Sequence, residues 1–349
     1  MKAIVLHQVG PAENLITERE WPDPEARKGQ AVIRVHAVGV CYRDIIDRRG
    51  GFPFMKRPLV PGHEIAGEVV ETGEDVADLA VGDRVVTMHR GACGECEYCQ
   101  AGHEPRCMRS PFVVGLTIDG GYAEKVTVPA SCAVPLPDEV SYQQGCFLFC
   151  TAGVALRALR THGGLESGQT VLITGASGGL GLHAMQVARA LGAQVVAITS
   201  SESKAEFLRQ SGADHVVVSA PRSGERSSAM TFHKEVKRLT GGVHVALDCV
   251  GDITLNSSIR SLRPMGRCVV AGNITTGRYE LNPGLAILNE LTLCGTSGCT
   301  RRDLEQVLAW TRDGTIAPVI AEVMALDQAV EAQKRLESRG VTGRIVLTP

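Results

Sequence analysis

The stretch TVLITGASGGLGLHAMQVARALGAQVVAITSS, residues 170–201, decides the fold of this chain. A short apolar strand at 171–174 is followed by a glycine turn, an amphipathic helix at 180–191 and a second strand at 195–199. A unit of about 30 residues in this order is a β-α-β crossover, and consecutive crossovers build a doubly wound parallel sheet. The stretch therefore predicts an α/β fold of the Rossmann type.

The turn between strand and helix carries the pattern of a dinucleotide phosphate site. Ala176-x-Gly178-x-x-Gly181 is G-x-G-x-x-G with its first glycine replaced by alanine. Gly178 lets backbone N–H groups approach a pyrophosphate at the positive end of the helix, and Gly181 lets the helix lie close to the strand. Because a strand and a helix flank the pattern, we expect it to bind the cofactor through Ser177, Gly178, Gly179, Leu180 and Gly181.

The end of the second strand indicates which dinucleotide is bound. NAD-selective sites place an Asp or Glu there to bind the ribose 2′-hydroxyl. This chain has Thr199, Ser200 and Ser201 instead, and Lys204 follows as a partner for a 2′-phosphate. We expect Glu202 to begin the next helix, with Ser201 as its N-cap. The sequence therefore predicts NADP(H) in preference to NAD(H).

Further alternation of strands and helices continues the same sheet. The expected strands cover 215–218, 243–250, 267–272 and 291–295. A helix is expected to end at Leu239, and the strand ends at Val250, Gly272 and Asn273 are expected on the nicotinamide side of the sheet. The Ser- and Arg-rich segment 221–232 is predicted to be a surface connection.

Four of the twelve cysteines stand close together, at Cys93, Cys96, Cys99 and Cys107. Short C-x-x-C steps aim several thiolates at one tetrahedral ion, and the longer gap returns the fourth. Bacterial ferredoxins also use four cysteines, but their run continues C-x₂-C-x₃-C-P, whereas here Pro111 lies four residues past Cys107. Four buried free thiols are the other alternative. We predict a closed, structural zinc site in loop 91–109.

A second, open metal site is predicted from residues that lie far apart in the sequence. Cys41 lies in GVCYRD, His63 and Glu64 lie in PGHEIAGEVVETG, and Cys150 lies in FLFCTAG. Two thiolates and one imidazole form a ligand set of catalytic zinc, which keeps one position free. Asp44 is expected to accept the other ring N–H of His63. The sequence thus predicts two zinc ions per chain.

Some details of this second site stay open. Cys146 lies four residues before Cys150 in an equally apolar setting and competes with it as a ligand. Glu64 either binds the metal transiently or only holds the residues around the metal in place. The aromatic candidates for a substrate pocket, which are equally typical of a core, are Tyr42, Phe52, Phe54, His89 and Phe147.

Length, charge and composition restrict the class of protein. A chain of 349 residues is long enough for two domains. Lys+Arg 36 against Asp+Glu 38 gives a net charge of −2, which excludes a basic field for nucleic acid or an anionic membrane. We find no apolar run of the roughly 18 residues that a membrane span needs and no signal-peptide core. Since clustered cysteines indicate a reducing compartment, we expect a cytoplasmic protein.

Together these motifs resemble the zinc-containing medium-chain dehydrogenase/reductase superfamily, to which alcohol dehydrogenases belong. The resemblance covers nearly the whole chain and rests on GHEIAGEVVETG at 62–73, VGDRV at 81–85, the four-cysteine loop, GASGGLG at 175–181 and GRIVL at 343–347. It implies a GroES-like, mostly-β catalytic domain made of 1–151 and 297–349, with the Rossmann domain, 152–296, inserted. It also implies a homodimer or homotetramer and places Arg344 near the cofactor phosphate.

One position departs from the family's pattern. Alcohol dehydrogenases usually carry Ser or Thr two residues after the first zinc cysteine, where the hydroxyl passes a proton outward. This chain has Arg43 there, preceded by Tyr42. The strings CYRD, EYCQAG and TGASGGLGLHA are more similar to the acryloyl-CoA reductase branch. Arg43 either meets an anionic or phosphate-bearing substrate or lies outward in solvent.

Three functions follow as alternatives. The first interpretation is zinc-dependent hydride transfer between a nicotinamide and an alcohol, aldehyde or ketone. The second is NADPH-dependent reduction of an activated C=C bond, with electrophilic stabilisation of an enolate. The third is a non-catalytic zinc- and nucleotide-binding protein. The complete open ligand set favours an enzyme acting on a small molecule, with a catalytic site formed by Cys41, Tyr42, Arg43, Asp44, His63, Glu64 and Cys150.

Overall fold

The computed structural model describes residues 1–110, 112–220, 230–274 and 277–349. The chain forms two compact units, and the second interrupts the first. The first unit comprises Met1–Cys150, Cys299–Asp313 and Pro318–Pro349, and the second comprises Thr151–Gly298 and Gly314–Ala317. Residues 314–317, which the sequence analysis assigned to the catalytic domain, therefore pack with the second unit.

The described strands and helices are numbered in chain order. The strands are β1 Ala3–Leu6, β2 Leu15–Glu18, β3 Gln30–Val40, β4 Glu64–Thr72, β5 Arg84–Thr87, β6 Lys125–Pro129, β7 Ala133–Pro135, β8 Thr170–Ile173, β9 Gln194–Thr199, β10 His215–Val218, β11 Val243–Asp248, β12 Leu262–Val270, β13 Thr292–Gly295, β14 Ile320–Ala325 and β15 Arg344–Thr348. The helices are α1 Tyr42–Arg48, α2 Glu97–Gln100, α3 Tyr142–Gly145, α4 Val154–Leu156, α5 Gly179–Ala190, α6 Ala205–Gln210, α7 His233–Thr240, α8 Asp252–Ser261, α9 Pro283–Asn289, α10 Arg301–Arg312 and α11 Ala329–Glu337. Two π-helical segments, Phe149–Gly153 and Arg157–His162, flank α4.

The first unit is built mainly from antiparallel strands. Its larger sheet has the order β14-β15-β3-β4-β5-β7, and β6 also pairs with β3. In β6, Val126 and Val128 are buried while Lys125 and Thr127 are half-buried, which is the alternation of a strand with one face on the core. The pairing of β3 with β4 sets Gly39 opposite Glu64. The end of β3 and the start of β4 therefore lie side by side.

The second unit contains a six-stranded parallel sheet in the order β10-β9-β8-β11-β12-β13. This is the doubly wound arrangement predicted from the glycine motif. Central strand β8 is buried along its whole length, as expected for a parallel strand covered by helices on both faces. Within the described residues, no helix combines the length and the apolar character needed to cross a bilayer.

Two details of the second unit correct the sequence-based prediction. Strand β12 begins at Leu262, five residues before the predicted start, because an irregularity that includes Met265 at φ 62° separates its two paired parts. Residues 221–229 of the predicted surface connection 221–232 lie outside the described residues, and so does Pro111. At its end, however, Met230 and Phe232 are buried in an apolar cluster, because the chain there packs under α8.

Candidate functional site

The four-cysteine loop brings its thiols together in the first unit. Cys93 Sγ lies 3.9 Å from Cys99 Sγ, and Cys96 Sγ lies 3.5 Å from Cys99 Sγ and 4.0 Å from Cys107 Sγ. A tetrahedral zinc site with Zn–S bonds of about 2.3 Å requires S–S separations of about 3.8 Å. The cysteines therefore fit one tetrahedral zinc ion.

Backbone groups prepare this loop for thiolates. The N–H groups of Cys93 and Cys96 lie 3.4 and 3.3 Å from the sulfur atoms of Cys107 and Cys93, respectively. Hydrogen bonds from the backbone at Cys99 and Met108 lower the pKa of Cys96 to about 6. Because a thiolate is the form that binds a metal, these contacts favour the ligand state of Cys96, whereas burial raises the pKa of Cys99 to about 12.

A second cluster gathers four residues that are distant in the sequence. The ligand atoms of Cys41, His63, Glu64 and Cys150 all lie within 4.8 Å of one another. Cys150 Sγ lies 3.9 Å from Cys41 Sγ and 3.6 Å from His63 Nε2. These separations also fit one zinc ion bound by two thiolates and an imidazole nitrogen.

The antiparallel sheet and two helical segments place these ligands. Strand β3 ends at Val40, so Cys41 is the N-cap residue of α1. Because β4 begins at Glu64 and pairs with the end of β3, His63 lies beside Cys41. Cys150 lies in the π-helical segment Phe149–Gly153, a conformation that is frequent at functional sites.

Asp44 makes the hydrogen bond to His63 that the sequence predicted. Its Oδ1 atom lies 2.8 Å from His63 Nδ1, and both side chains are buried. A carboxylate accepts this bond, so Nδ1 carries a ring proton and Nε2 is the nitrogen left to bind a metal ion. The other carboxylate oxygen, Oδ2, accepts the backbone N–H of Cys41 at 3.0 Å. Asp44 thus orients two members of the cluster.

Arg344 and Glu64 form a buried ion pair in this cluster. Strand β15 begins at Arg344 and pairs with the end of β3, which places the guanidinium 3.4 Å from Cys41 Sγ. Burial raises the pKa of Glu64 to about 8, although Arg344 acts in the opposite direction. In the described part of the chain, Glu64 Oε2 and Arg344 Nε have no hydrogen-bond partner. Both atoms are therefore available to a further polar group.

The two thiols of this cluster differ in acidity. The hydrogen bond with Cys150 lowers the pKa of Cys41 well below its ordinary value, against the effect of burial, and Arg344 lowers it further. The same hydrogen bond, together with burial, raises the pKa of Cys150 well above its ordinary value. Because the thiolate is the form that binds a metal, a divalent metal bound to both sulfur atoms displaces any protons that they carry.

The second unit contains the predicted nucleotide motif. Gly178 is the N-cap of α5, so it lies at the helix end where first-turn N–H groups generally favour anions. A Cβ atom at Gly181 would overlap the carbonyl oxygen of Gly175, so the helix lies against the turn as predicted. Ser177, Gly179 and Leu180 belong to the same turn and helix start.

The other predicted cofactor residues in this unit lie at strand ends. Thr199 ends β9, and Glu202 begins a short 3₁₀ turn, Glu202–Lys204, whose N-cap is Ser201. The Ser201 hydroxyl bonds Ser203 Oγ at 2.7 Å instead of capping this turn. Ser200, next to Thr199, is exposed.

The loops that follow β11 and β12 lie against each other. Val250 accepts a hydrogen bond from the N–H of Ile274 at 3.0 Å. A Cβ atom at Gly272 would overlap the carbonyl of Cys249, and one at Gly251 would lie 2.9 Å from Asn273 Oδ1. The structure therefore brings together Val250, Gly272 and Asn273.

Comparison with known protein families matches two parts of this chain. Residues 27–138 match the alcohol dehydrogenase GroES-like domain family, and residues 179–313 match the zinc-binding dehydrogenase family. The chain belongs to the zinc-binding alcohol dehydrogenase family. It is a member of the medium-chain dehydrogenase/reductase superfamily and an NAD(P)-dependent oxidoreductase, so the non-catalytic alternative is set aside.

The names of similar proteins describe two activities, acryloyl-coenzyme A reduction and alcohol dehydrogenation. The acryloyl-coenzyme A reductase of Sulfurisphaera tokodaii is 37% identical over 100% of both chains. An alcohol dehydrogenase of Geobacillus stearothermophilus is 33% identical over 99% of each. Among solved structures, AibC has a TM-score of 0.91 at 40% identity, covering 100% of this chain and 96% of that one. An NAD-dependent alcohol dehydrogenase has a TM-score of 0.90 at 29% identity over 100% of both.

Two predicted residues have partners in this family member that the sequence analysis did not foresee. Arg43 bonds Asp47 Oδ2 through Nε at 2.9 Å, and its Nη2 faces the carbonyls of Val114 and Gly115 at 3.4 and 3.5 Å. It is 21% exposed, so the expectation of an outward, solvated arginine is wrong. Contact of Arg344 with a cofactor phosphate stays a prediction, and the structure gives Arg344 a partner in Glu64.

The structure distinguishes Cys150 from Cys146 as a metal ligand, and it places the phenylalanine candidates for a substrate pocket in different surroundings. Cys146 Sγ faces the carbonyl of Gln143 at 3.5 Å and lies outside the metal cluster, which includes Cys150. Phe147 is fully buried in the core, whereas Phe54 is 62% exposed and pairs with Phe52.

Among the aromatic candidates, His89 lies beside His63 of the metal cluster. Its ring centroid is 6.2 Å from that of His63 and 5.0 Å from that of Phe149. Tyr42 begins α1 directly after Cys41. The sequence analysis missed Phe149, although its position directly before Cys150 was the available signal.

Proposed function

We propose that this chain is an NADPH-dependent reductase of the C=C bond in α,β-unsaturated CoA thioesters of the acryloyl type. Arg43 carries the proposal, because it occupies the position at which the family usually has a hydroxyl. Oxidation of an alcohol requires a group that takes the hydroxyl proton outward, and a guanidinium stays charged and cannot accept it. The hydrogen bond from Arg43 to Asp47 holds it in this state. The full-length similarity to an acryloyl-coenzyme A reductase supports the same substrate class.

The reaction adds a hydride to the β-carbon and a proton to the α-carbon. When bound, the zinc would polarise the thioester carbonyl oxygen and the nicotinamide would supply the hydride. The proton is taken from water, so no alcohol proton needs to leave the site. The C=C reaction therefore does not need the proton-relay hydroxyl of Ser or Thr, whose position Arg43 occupies.

The proposed ligand assignment follows the chemistry of each donor set. We assign Cys41, His63 and Cys150 to the catalytic zinc, with Glu64 beside them as a group that Arg344 holds in place. Asp44 keeps the proton on His63 Nδ1, so that Nε2 stays a ligand atom. We assign the structural zinc to Cys93, Cys96, Cys99 and Cys107. Two zinc ions per chain are the consequence.

The cofactor preference rests on the end of β9. Ser200 is exposed there and no acid occupies the position, so a 2′-phosphate meets no negative charge. Ser200→Asp is expected to lower the ratio of kcat/KM for NADPH over NADH at least about tenfold, which corresponds to an unfavourable contact of about 1.4 kcal/mol. Ser211→Asp, which adds the same charge at the other end of α6, is the control and leaves the ratio unchanged. Better use of NADH than NADPH by the unmodified protein contradicts the preference.

Carbonyl reduction and alcohol oxidation form the second candidate function. The complete set of two thiols and one imidazole favours it, since this set belongs to the zinc alcohol dehydrogenases. The two candidate reactions use the same metal and cofactor. They differ in the carbon that accepts the hydride, which is the β-carbon of a C=C bond in the first and a carbonyl carbon in the second. We place the C=C reaction first because only it accounts for Arg43.

A substrate panel separates these candidates. Consumption of NADPH is followed by absorbance with acryloyl-CoA, simple aldehydes and simple ketones at equal concentration. We expect the largest kcat/KM with acryloyl-CoA. A larger kcat/KM with an aldehyde or ketone selects the second candidate, and no turnover with any of them contradicts both.

The location and assembly of the protein are also proposals. We place it in the cytoplasm, because all twelve cysteines lie in the described residues and none of them forms a disulfide. We propose a homodimer or homotetramer formed through the second unit, where edge strand β13 and helix α9 expose apolar side chains. The exposed fractions are 44% for Leu293, 72% for Ile287 and 85% for Leu288. Sedimentation equilibrium tests this, and a monomer contradicts it. We expect no nucleic-acid or membrane partner.

A further inference from the structure

A run of buried polar side chains leads away from His63 on the side opposite the thiols. Asp44 bonds His63 through Oδ1, and its Oδ2 accepts the hydroxyl of Tyr122 at 3.2 Å. Tyr122 lies just before β6 and is fully buried. Its hydroxyl therefore supports a carboxylate that itself supports a predicted metal ligand.

Gln333 and Arg48 continue this run. Arg48 Nε donates to Gln333 Oε1 at 2.7 Å, and both side chains are buried. Because a guanidinium only donates, the amide oxygen must face Arg48 and the amide NH₂ must face the other way. Burial raises the pKa of Tyr122 well above its ordinary value, and the neighbouring Gln333 side chain acts to lower it. Gln333 Nε2 makes no hydrogen bond within the described residues, so Gln333 is a buried polar neighbour of Tyr122.

These contacts give the run a direction. The Tyr122 hydroxyl donates its single proton to Asp44, because a carboxylate only accepts. Asp44 accepts from Tyr122 on one oxygen and from His63 on the other. The donors that converge on Asp44 are therefore Tyr122, His63 and the backbone N–H of Cys41.

The ring of Tyr122 also fixes the backbone next to His63. A Cβ atom at Gly62 would overlap this ring, and Gly62 has φ +91°, a conformation that glycine adopts without strain. The Tyr122 N–H donates to the carbonyl of Pro61 at 3.0 Å. Tyr122 thus contacts the segment that presents His63 and, separately, the carboxylate that orients its ring.

We propose that Tyr122 is a positioning residue of the metal site. Its hydroxyl fixes the Asp44 carboxylate, and through Asp44 it fixes the orientation and the tautomer of His63. The inference rests on the proposed function in one respect, the assignment of His63 as a ligand. Groups that orient a ligating histidine typically change metal affinity 10–100-fold when they are removed.

The test compares metal binding by the full chain and by Tyr122→Phe, which keeps the ring on Gly62 and removes only the hydroxyl. Zinc affinity is measured by competition with a chromophoric chelator, and the site geometry is measured by the absorption spectrum of the Co²⁺-substituted protein. We expect the affinity at one of the two zinc sites to fall about tenfold and the cobalt d–d bands to shift. Tyr142→Phe is the matched control, since this tyrosine lies away from the metal cluster, where it stacks on His36 and lies under the Arg84 guanidinium, 4.7 Å from the ring centroid.

A second variant keeps the inference testable should Tyr122→Phe fold poorly. Gln333→Met leaves the hydroxyl in place but removes the buried polar neighbour of Tyr122 that accepts from Arg48, so a smaller loss of affinity in the same direction is expected. Wild-type zinc affinity and an unshifted cobalt spectrum in both variants, with two zinc ions in the unmodified protein, overturn the inference alone. A single zinc ion in the unmodified protein overturns the proposed function, and the inference with it.

Discussion

The two cysteine-containing clusters of the first unit are built in opposite ways. The four-cysteine cluster comes from one short loop, and backbone N–H groups surround its sulfur atoms. The other cluster joins Cys41 to Cys150, 109 positions along the chain, and its neighbours are the side chains of Asp44 and Arg344. The first depends on local spacing, whereas the second depends on the pairing of β3 with β4 and β15.

This difference separates stability from chemistry. A closed site of four thiolates stiffens its loop and has no position for a substrate. The mixed cluster contains two carboxylates and a guanidinium within or beside it, which adjust the acidity and orientation of its donors. Substitutions in the two clusters are therefore expected to affect different measurements.

Cys41→Ser has the largest expected effect on turnover. It removes the thiolate that Arg344 and Cys150 stabilise, so the catalytic zinc is lost and NADPH oxidation falls to background. The melting temperature is expected to stay close to that of the unmodified protein, because the rest of the sheet is unchanged.

Cys146→Ser is the control for this substitution, since Cys146 is buried nearby but lies outside the cluster. It is expected to retain turnover. Full turnover in Cys41→Ser, or loss of it in Cys146→Ser alone, means that the ligands are assigned wrongly.

Asp44→Asn has the next largest effect. An amide cannot accept both the His63 ring proton and the Cys41 N–H, so one of these contacts becomes a contact between two donors. Zinc affinity at the catalytic site is expected to fall about 10–100-fold, as measured by chelator competition.

Asp303→Asn is a matched control, because Asp303 is also a buried carboxylate at the start of a helix, α10, and accepts the backbone N–H of Thr300. This variant is expected to lower stability and to leave zinc affinity unchanged. Equal zinc affinity in Asp44→Asn and the unmodified protein contradicts the role of Asp44.

Cys96→Ser has the smallest expected effect on turnover and the clearest effect on stability. Metal binding by this loop is coupled to its folding. A loss of about 2 kcal/mol lowers the melting temperature by about 4–8 °C in a unit of this size. Turnover well below the new melting temperature is expected to stay near that of the unmodified protein. An unchanged melting temperature would show that the loop holds no structural metal.

Local patterns account for what the sequence could predict. The strand, turn and helix around Gly178 are local, and the structure contains β8, α5 and β9 within one residue of the expected bounds. The four-cysteine loop is equally local. Strand β12 was placed too late because the irregularity at Met265 hides its first part from a search for continuous apolar runs.

The contacts around the mixed cluster were less accessible to the same reasoning. The ion pair of Arg344 with Glu64 joins residues 280 positions apart, and the bond of Arg48 to Gln333 joins residues 285 apart. Such contacts depend on which strands and helices pack together. The spacing of residues within one sequence segment therefore cannot predict them. Tyr122 was missed for the same reason, since its partner Asp44 lies 78 positions away.

The metal content of the protein tests the central assignment most directly. Purified without chelator, the unmodified chain is expected to contain two equivalents of zinc by elemental analysis, and Cys41→Ser is expected to contain one. A single equivalent in the unmodified chain, with the same value in Cys41→Ser, would mean that Cys41, His63 and Cys150 do not bind a metal.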